Sequence, residues 1–340
     1  MPASDLIALD VGGANLKASD GRGWTHAEPF SLWREWRRLP EALVRILDPA
    51  APRRVVATMT GEIADCYTSR AAGVAHIVES LVGAARGRAA DVGIYLVDGR
   101  IVPPAEAIRR PLLAAASNWH ALARLAAAHA PAPRSLLVDV GSTTTDVVAL
   151  VDGVPVPLER DDAGRMRSGE LVYTGIERTP LAAIVRVLPH DGLPRPVAAE
   201  RFADSRDAWL LLGGLPEDPA DHDTADGGPA THAAARVRLA RALLVEPDDF
   251  SSAAAVAAAE RCATVQARRV AAALRRVAAC RGWQPDAIVL SGHGEALARR
   301  ALGLTWPYAR VVSLGDILGT AASRVAPAHA LALIARGELP

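Results

Sequence analysis

Lysine is almost missing from this chain. Its 340 residues include 38 basic side chains, yet Lys17 is the single lysine, and arginine has taken over the surface role the two usually share. Cysteine is scarce as well. Cys66, Cys262 and Cys280 are odd in number and far apart, which excludes a disulfide framework or a metal knuckle and leaves buried thiols as the expectation. Aromatic residues make up 4% and the formal net charge is zero, so bulk electrostatics offers nothing to nucleic acid or to an anionic membrane surface. Apolar runs are short; the stretch 253–259 is alanine-rich and ends at Glu260 and Arg261, far below a bilayer span. The first residues lack a basic region followed by an apolar one and enter a strand pattern at once, which predicts a cytoplasmic protein.

What is present is a repeated hairpin. Segment 6–17, LIALDVGGANLK, reads as a buried strand ending at Asp10, a tight turn through Gly12, Gly13, Ala14 and Asn15, and a return strand carrying Lys17. Segment 136–150, LLVDVGSTTTDVVAL, repeats it: Asp139 stands for Asp10, Gly141 for Gly12, and each Asp is followed seven residues later by a charge, Lys17 or Asp146. A strand-turn-strand unit occurring twice, each time with helices to follow, predicts two similar α/β domains, 1–132 and 133–340, facing each other across a cleft. The solitary lysine falls within one of the two motifs, where a compact ammonium suits phosphate oxygens better than a planar guanidinium does. In the second turn the hydroxyls and amides of Ser142, Thr143 and Thr144 can cradle phosphate oxygens.

Other stretches add candidate groups. Residues 32–47 carry apolar positions at helical spacing, and 54–58 form a strand that runs into Thr60, Gly61 and Glu62, either a ligand loop at a strand's carboxyl end or ordinary punctuation. The run 105–130, interrupted at Pro111 and capped afresh near Ser117 and Asn118, predicts two helices. Segment 166–180, with Arg167, Glu170 and Tyr173 around two glycines, reads as a surface hairpin or as a substrate loop. The proline-rich 189–196 reads as a connection and 204–226 as loop. Its acids Asp218, Asp221, Asp223 and Asp226 fit a solvated surface or, alternatively, a hard metal ion. A helical insertion covers about 200–250, and the long helix 251–280 buries a stripe of Val256, Val265, Val270, Leu274 and Val277 and could pack against a twin in a homodimer. Near the end, strand 286–290 opens into Ser291, Gly292, His293 and Gly294, a turn that brings amides toward an anion or a base.

These motifs resemble the two phosphate turns and the adenosine-type turn of the superfamily of acetate and sugar kinases, the heat-shock chaperone ATPase and actin, and DVGSTTTDVV resembles the hydantoinase/oxoprolinase group. LDVGGANLKAS, TMTGEIADC, SNWHALA, RSGELVYTGIERTP, TADGGPAT and VLSGHGEALA together look like the tetrahydromethanopterin-linked C1-transfer pathway family, whose archaeal members are methanofuran-biosynthesis synthases. The resemblance implies a duplicated actin-like ATPase fold of two ribonuclease-H-like domains. It also implies a transferase that joins an aminomethylfuran-methyl diphosphate to the phenol of a tyramine-type acceptor and releases pyrophosphate. Mg²⁺ at Asp10 and Asp139, a catalytic set of Lys17, Asp139, Asp146 and Glu170, and small-molecule partners only follow from the same likeness, with Asp146 or Glu170 taking the phenol proton and Tyr173 stacking on a substrate ring. Two other readings stand beside it: an ATP-dependent small-molecule kinase or amidohydrolase-type enzyme, with ATP as cofactor, and a non-enzymatic actin-like or chaperone-like protein.

Overall fold

A computed structural model describes residues 5–49 and 52–339. The chain separates into two units, residues 1–135, 150–164 and 312–340 in one and 136–149 and 165–311 in the other.

The first unit is built on six strands, β1 (Leu6–Val11), β2 (Asn15–Ser19), β3 (Thr25–Pro29), β4 (Arg54–Met59), β5 (Asp91–Tyr95) and β6 (Ile101–Val102), in the order β3-β2-β1-β4-β5-β6. β2 runs antiparallel to β1 and β3, whereas β4 is parallel to both β1 and β5. Alternation decides what each face carries. Ile7, Leu9 and Val11 join Val55, Ala57, Met59 and the helices Leu39–Leu47 and Arg70–Ala85 in one apolar cluster. The opposite face of β1, with Ala8 and Asp10, is covered by the helix Ala326–Ala335, on which the helix Asn118–Ala128 packs in turn. The carboxyl-terminal helix therefore completes the first unit, although the two segments of the second unit, 136–149 and 165–311, come before it in the chain.

The second sheet adds β7 (Arg134–Val140), β8 (Thr145–Val151), β9 (Val154–Pro155) and β10 (Leu171–Val172), then, after a separate hairpin of β11 (Val187–His190) and β12 (Leu193–Pro196), β13 (Ala287–Ser291) and β14 (Arg310–Ser313). Its order, β10-β8-β7-β13-β14, repeats β3-β2-β1-β4-β5 element for element. A central hairpin with one strand added on its far side and two on its near side is the ribonuclease-H-like order. Its occurrence twice makes this the duplicated actin-like ATPase fold. The helix Ser252–Arg281, capped by the Ser251 hydroxyl on the Ala254 N–H and ended by left-handed Gly282, is the spine of the second unit.

Several local expectations are corrected. The helix predicted over 32–47 breaks at a 3₁₀ turn, Trp36–Arg38, because Pro40 has no N–H for the Trp36 carbonyl. The run 105–130 yields three helices, and Ser117 does not cap the last through its side chain. Residues 189–196 are not a plain connection: Asp191 and Gly192, both at positive φ (51° and 73°), turn a β-hairpin there. A helix, Ser205–Leu211, stands where loop was expected, nucleated by a reciprocal capping box of Asp204 and Asp207. Val256 is exposed rather than part of the buried stripe. Of the cysteines only Cys262 is buried; Cys280 is exposed. No single helix among the described residues is long and apolar enough to cross a membrane.

Candidate functional site

In the first unit the hairpin registers Asp10 directly opposite Lys17, and on the other side Asp10 lies beside Thr58 of β4. Asp10 is buried, and one carboxylate oxygen, Oδ1, has no hydrogen-bond partner. Burial pushes its pKa up; the Lys17 charge and a hydrogen bond from Asn118 pull the other way without cancelling it. Asn118 is held in place from below. Thr58 donates to the Ser117 hydroxyl (2.7 Å), because that hydroxyl's own proton goes to the Tyr95 carbonyl (3.0 Å). Lys17 itself is half-buried and makes no hydrogen bond or ion pair among the described residues.

The turn that joins these strands leaves donors unspent. Gly12 N–H closes the turn on the Asn15 carbonyl (3.1 Å), while the amides of Gly13 and Ala14 find no acceptor among the described residues. A Cβ on Gly13 would meet open space within 4 Å, so a ligand can approach that backbone. Thr60 N–H binds the Val11 carbonyl (3.0 Å), and Gly61 packs so closely that a Cβ there would come within 3.2 Å of the Gly12 carbonyl. Thus Thr60, Gly61 and the phosphate-type turn form one cluster at the carboxyl ends of adjacent parallel strands, where open α/β sheets place ligands.

Glu62 follows immediately and is 1% exposed, with neither carboxylate oxygen hydrogen-bonded. Burial drives its pKa to about 7; Asp162 adds to the rise, while its own amide, that of Ala116 and Arg70, which is paired with Asp162 at 2.7 Å, lower it somewhat. A carboxyl whose folded pKa exceeds its unfolded one destabilises the fold as it ionises. No penalty exists below the ordinary value of 4.5; it grows as pH rises toward 7 and is complete above that. From pH 4.5 to pH 8 the stability of the wild type should therefore fall by about 3 kcal/mol relative to Glu62→Gln, whose side chain does not titrate. Parallel thermal melts across that range check it; a constant gap between the two would contradict it.

The second unit repeats the turn with better-braced surroundings. Gly141 N–H closes on the Thr144 carbonyl (2.9 Å), and the amides of Ser142, Thr143 and Thr144 find no acceptor among the described residues. Segment 174–179 is neither a surface hairpin nor an open loop. The carbonyls of Gly141 and Ser142 receive the amides of Ile176, Glu177 and Arg178 (2.8–3.0 Å), and Gln266 on the long helix donates to Thr174 Oγ1 (3.0 Å) and the Gly175 carbonyl (2.9 Å). Trp209 Nε1 in turn fixes Gln266 (2.9 Å). Its role is to hold the second turn rigid. A Cβ on Gly175 would lie 2.5 Å from the Ser142 and Thr143 backbone, so Gly175→Ala should displace the turn and cost about 2–3 kcal/mol. A melt together with pyrophosphate calorimetry reads both losses; unchanged binding would show that the turn does not hold phosphate.

The remaining predicted residues scatter. Asp139 is half-buried and has partners, as does Asp146, whose carboxylate pairs with fully buried Arg165 at 2.8 Å. Glu170 is fully buried and accepts from the Ser168 hydroxyl (3.0 Å). Arg167 and Tyr173 are exposed, and Ser291 is buried at the end of β13. Gly292 and Gly294 face Val140, and the Gly294 amide is already spent on the Val140 carbonyl (3.0 Å), so these glycines serve packing. His293 points instead to Glu177 (3.3 Å), which also binds Arg206 (3.0 Å). Burial would raise the Glu177 pKa, yet His293 and Arg206 bring it down to about 2. The acidic run is not a metal site: Asp221 pairs with Arg206, Asp223 with Arg178 (2.6 Å), and Asp226 with Arg238 and Arg241 (both 3.1 Å). Among the described residues no group of three or more His, Cys, Asp or Glu is placed to hold a metal.

The pattern of the hydantoinase/oxoprolinase family matches residues 53–333. The chain belongs to that family. Within reach of it are two curated relatives, both named (4-{4-[2-(gamma-L-glutamylamino)ethyl]phenoxymethyl}furan-2-yl)methanamine synthase. The one from Methanocaldococcus jannaschii is 27% identical over 337 residues, covering 98% of each chain. That of Methanococcus vannielii is 28% identical over 206 residues, 60% of this chain and 91% of the relative. Among solved structures, the inorganic polyphosphate/ATP-glucomannokinase of Arthrobacter sp. strain KM aligns over 98% of this chain and 99% of its own, at 14% identity and a TM-score of 0.45.

Proposed function

We propose that this family member is a transferase of methanofuran-type cofactor biosynthesis, joining an aminomethylfuran-methyl diphosphate to the phenol of a tyramine-type acceptor with release of pyrophosphate. The relatives' name describes such an ether, a furan methyl carbon joined to a phenol, and the full-length match supports carrying it over. The observation that carries the leaving-group assignment is the set of unspent donors in the first unit, the Gly13 and Ala14 amides with Lys17; the second unit's turn, taken by itself, offers the Ser142, Thr143 and Thr144 amides.

Such donors stabilise charge as it develops on departing diphosphate oxygens, which is where a transferase of this kind needs it. A furan-methyl carbon tolerates cation character, so the barrier lies mainly in separating the anion. Lys17 binds that anion as a point charge, and its distance in register from Asp10 is set by the sheet. Asp10, with its unpartnered Oδ1, fits Mg²⁺ directly or through water, and the ion when bound there would add positive charge to the diphosphate. The spent Gly294 amide and the packing role of Gly292 give an adenine ring less backbone to approach, which favours this reading over an ATP-driven enzyme. Calorimetry with Mg²⁺ and pyrophosphate against Mg²⁺ and ATP tests it. Pyrophosphate should bind the tighter, and tight ATP binding accompanied by hydrolysis would overturn the transferase.

A further inference from the structure

Buried carboxylates in this protein are, as a rule, neutralised. Asp207 has Arg238 at 2.7 Å, Asp204 has Arg201 at 2.8 Å, Asp146 has Arg165, and Glu177 has both His293 and Arg206. Among the described residues the buried carboxylates with an oxygen that no hydrogen bond reaches are Asp10, which has one such oxygen and still has Asn118 and Lys17 near it, and Glu62, for which both oxygens are in that state. Leaving a carboxylate buried and unpaired is costly, and such groups concentrate where they react.

The surroundings hold Glu62 in that condition. Gly73 of the helix Arg70–Ala85 approaches so closely that a Cβ would lie 2.2 Å from the Glu62 carbonyl, which fixes its backbone. Ala116, whose amide lies toward the carboxylate, sits at φ 46°, a left-handed conformation that a non-glycine residue adopts only when its surroundings enforce it. The same short segment continues into Ser117, locked to Thr58, and Asn118, bound to Asp10. The charged groups that face Glu62 are Asp162, which repels it, and Arg70, which that Asp162 has already claimed.

We propose that Glu62 is the proton acceptor for the phenol in the transfer, an assignment that deepens the function given above and rests on it. As the phenol oxygen forms its bond to the furan-methyl carbon, the bond from that carbon to the diphosphate oxygen breaks and its electron pair leaves with pyrophosphate. The phenol proton passes to the Glu62 carboxylate and later to solvent, so atoms and charge balance. Asp146 is committed to Arg165 and Glu170 already accepts from Ser168, whereas no hydrogen bond occupies either Glu62 oxygen. Asp10 serves the anion and Glu62 the proton, two carboxylates at the ends of neighbouring strands divided by their partners.

The test uses the full chain with the furan-methyl diphosphate, Mg²⁺, and a series of tyramine acceptors whose rings carry increasing fluorine, following pyrophosphate release. With plain tyramine, Glu62→Gln should lower kcat about a hundredfold and remove the rise in wild-type rate with pH. With fluorinated acceptors, already phenolate at the assay pH, that deficit should shrink by about tenfold, since no base is then needed. Glu62→Asp, which keeps a carboxylate but withdraws it, should retain the pH rise at reduced kcat, and it serves as the readout if the glutamine variant does not fold. A deficit equal for every acceptor, a raised KM with kcat intact, or loss of the pH rise in Glu62→Asp would overturn the proposal. Failure of the wild type with all acceptors would instead overturn the transferase function itself.

Discussion

Lys17→Ala is expected to slow pyrophosphate release about a thousandfold, at the upper end of what removing one preorganised donor from a developing anion costs. The loss should appear in kcat, because the charge it meets is largest as the diphosphate departs. Two features set the size. Lys17 is held half-buried with no hydrogen bond or ion pair among the described residues, so its ammonium donors are available to a ligand. It also lowers the Asp10 pKa, so its removal lets burial raise that carboxyl further and weakens Asp10 as a cation ligand. Lys17→Arg should recover little: a planar fork of donors on a longer stem does not fit the space of a compact ammonium. Steady-state kinetics with both variants check this, and near-wild-type activity of the arginine variant would show that any cation suffices. Since Lys17 is the only lysine, an amine-specific reagent offers a second readout: bound pyrophosphate should protect that side chain from labelling.

The second large effect is structural. Gly292→Ala should destabilise the second unit by more than about 4 kcal/mol, the left-handed backbone contributing about 1–2 of it and the overlap with fixed backbone the rest. Gly292 has φ 83°, and a Cβ there would lie 2.2 Å from the Val140 carbonyl and 2.8 Å from Asp139 Oδ1. Neither the carbonyl nor the strand carrying it can yield without moving the second phosphate-type turn. Gly213 supplies the control. Its φ of 69° is similar but a Cβ would meet nothing within 4 Å, so Gly213→Ala should lose only the backbone contribution, about 1 kcal/mol. Hydrogen exchange of β7 and β13 amides, compared between the two variants, separates the causes. Equal losses would mean that the contact with Val140 does not matter.

The parts of the fold legible in the sequence were those governed by short-range rules. The seven-residue spacing from Asp10 to Lys17 and from Asp139 to Asp146 was readable because a tight hairpin fixes its own register, and the doubled motif pointed to two sheets of one order. The start of the long helix 251–280 was legible for the same reason, since the Ser251 hydroxyl caps it locally on the Ala254 N–H. Prolines concealed the hairpin at Asp191 and Gly192, although that dipeptide is itself a turn signal, and the capping box of Asp204 and Asp207 lies at the head of an acid-rich stretch of loop composition that masks it.

Long-range facts were beyond reach. No local pattern tells that Ala326–Ala335 returns to cover β1, that Arg165 neutralises Asp146, or that segment 174–179 braces the second turn. Glu62 is the clearest case. Its place after a strand was visible, but what distinguishes it, a buried carboxyl with no hydrogen bond to either oxygen, is a property of everything folded around it.

The most direct test of the account is the reaction itself. The protein, incubated with Mg²⁺, the aminomethylfuran-methyl diphosphate and γ-glutamyltyramine, is followed for pyrophosphate and for the aryl ether. Pyrophosphate and ether should form in equal amounts, only when both substrates are present, and at a rate unaffected by ATP. Ether formation that requires ATP, or ATP hydrolysis with the furan diphosphate left intact, would contradict it.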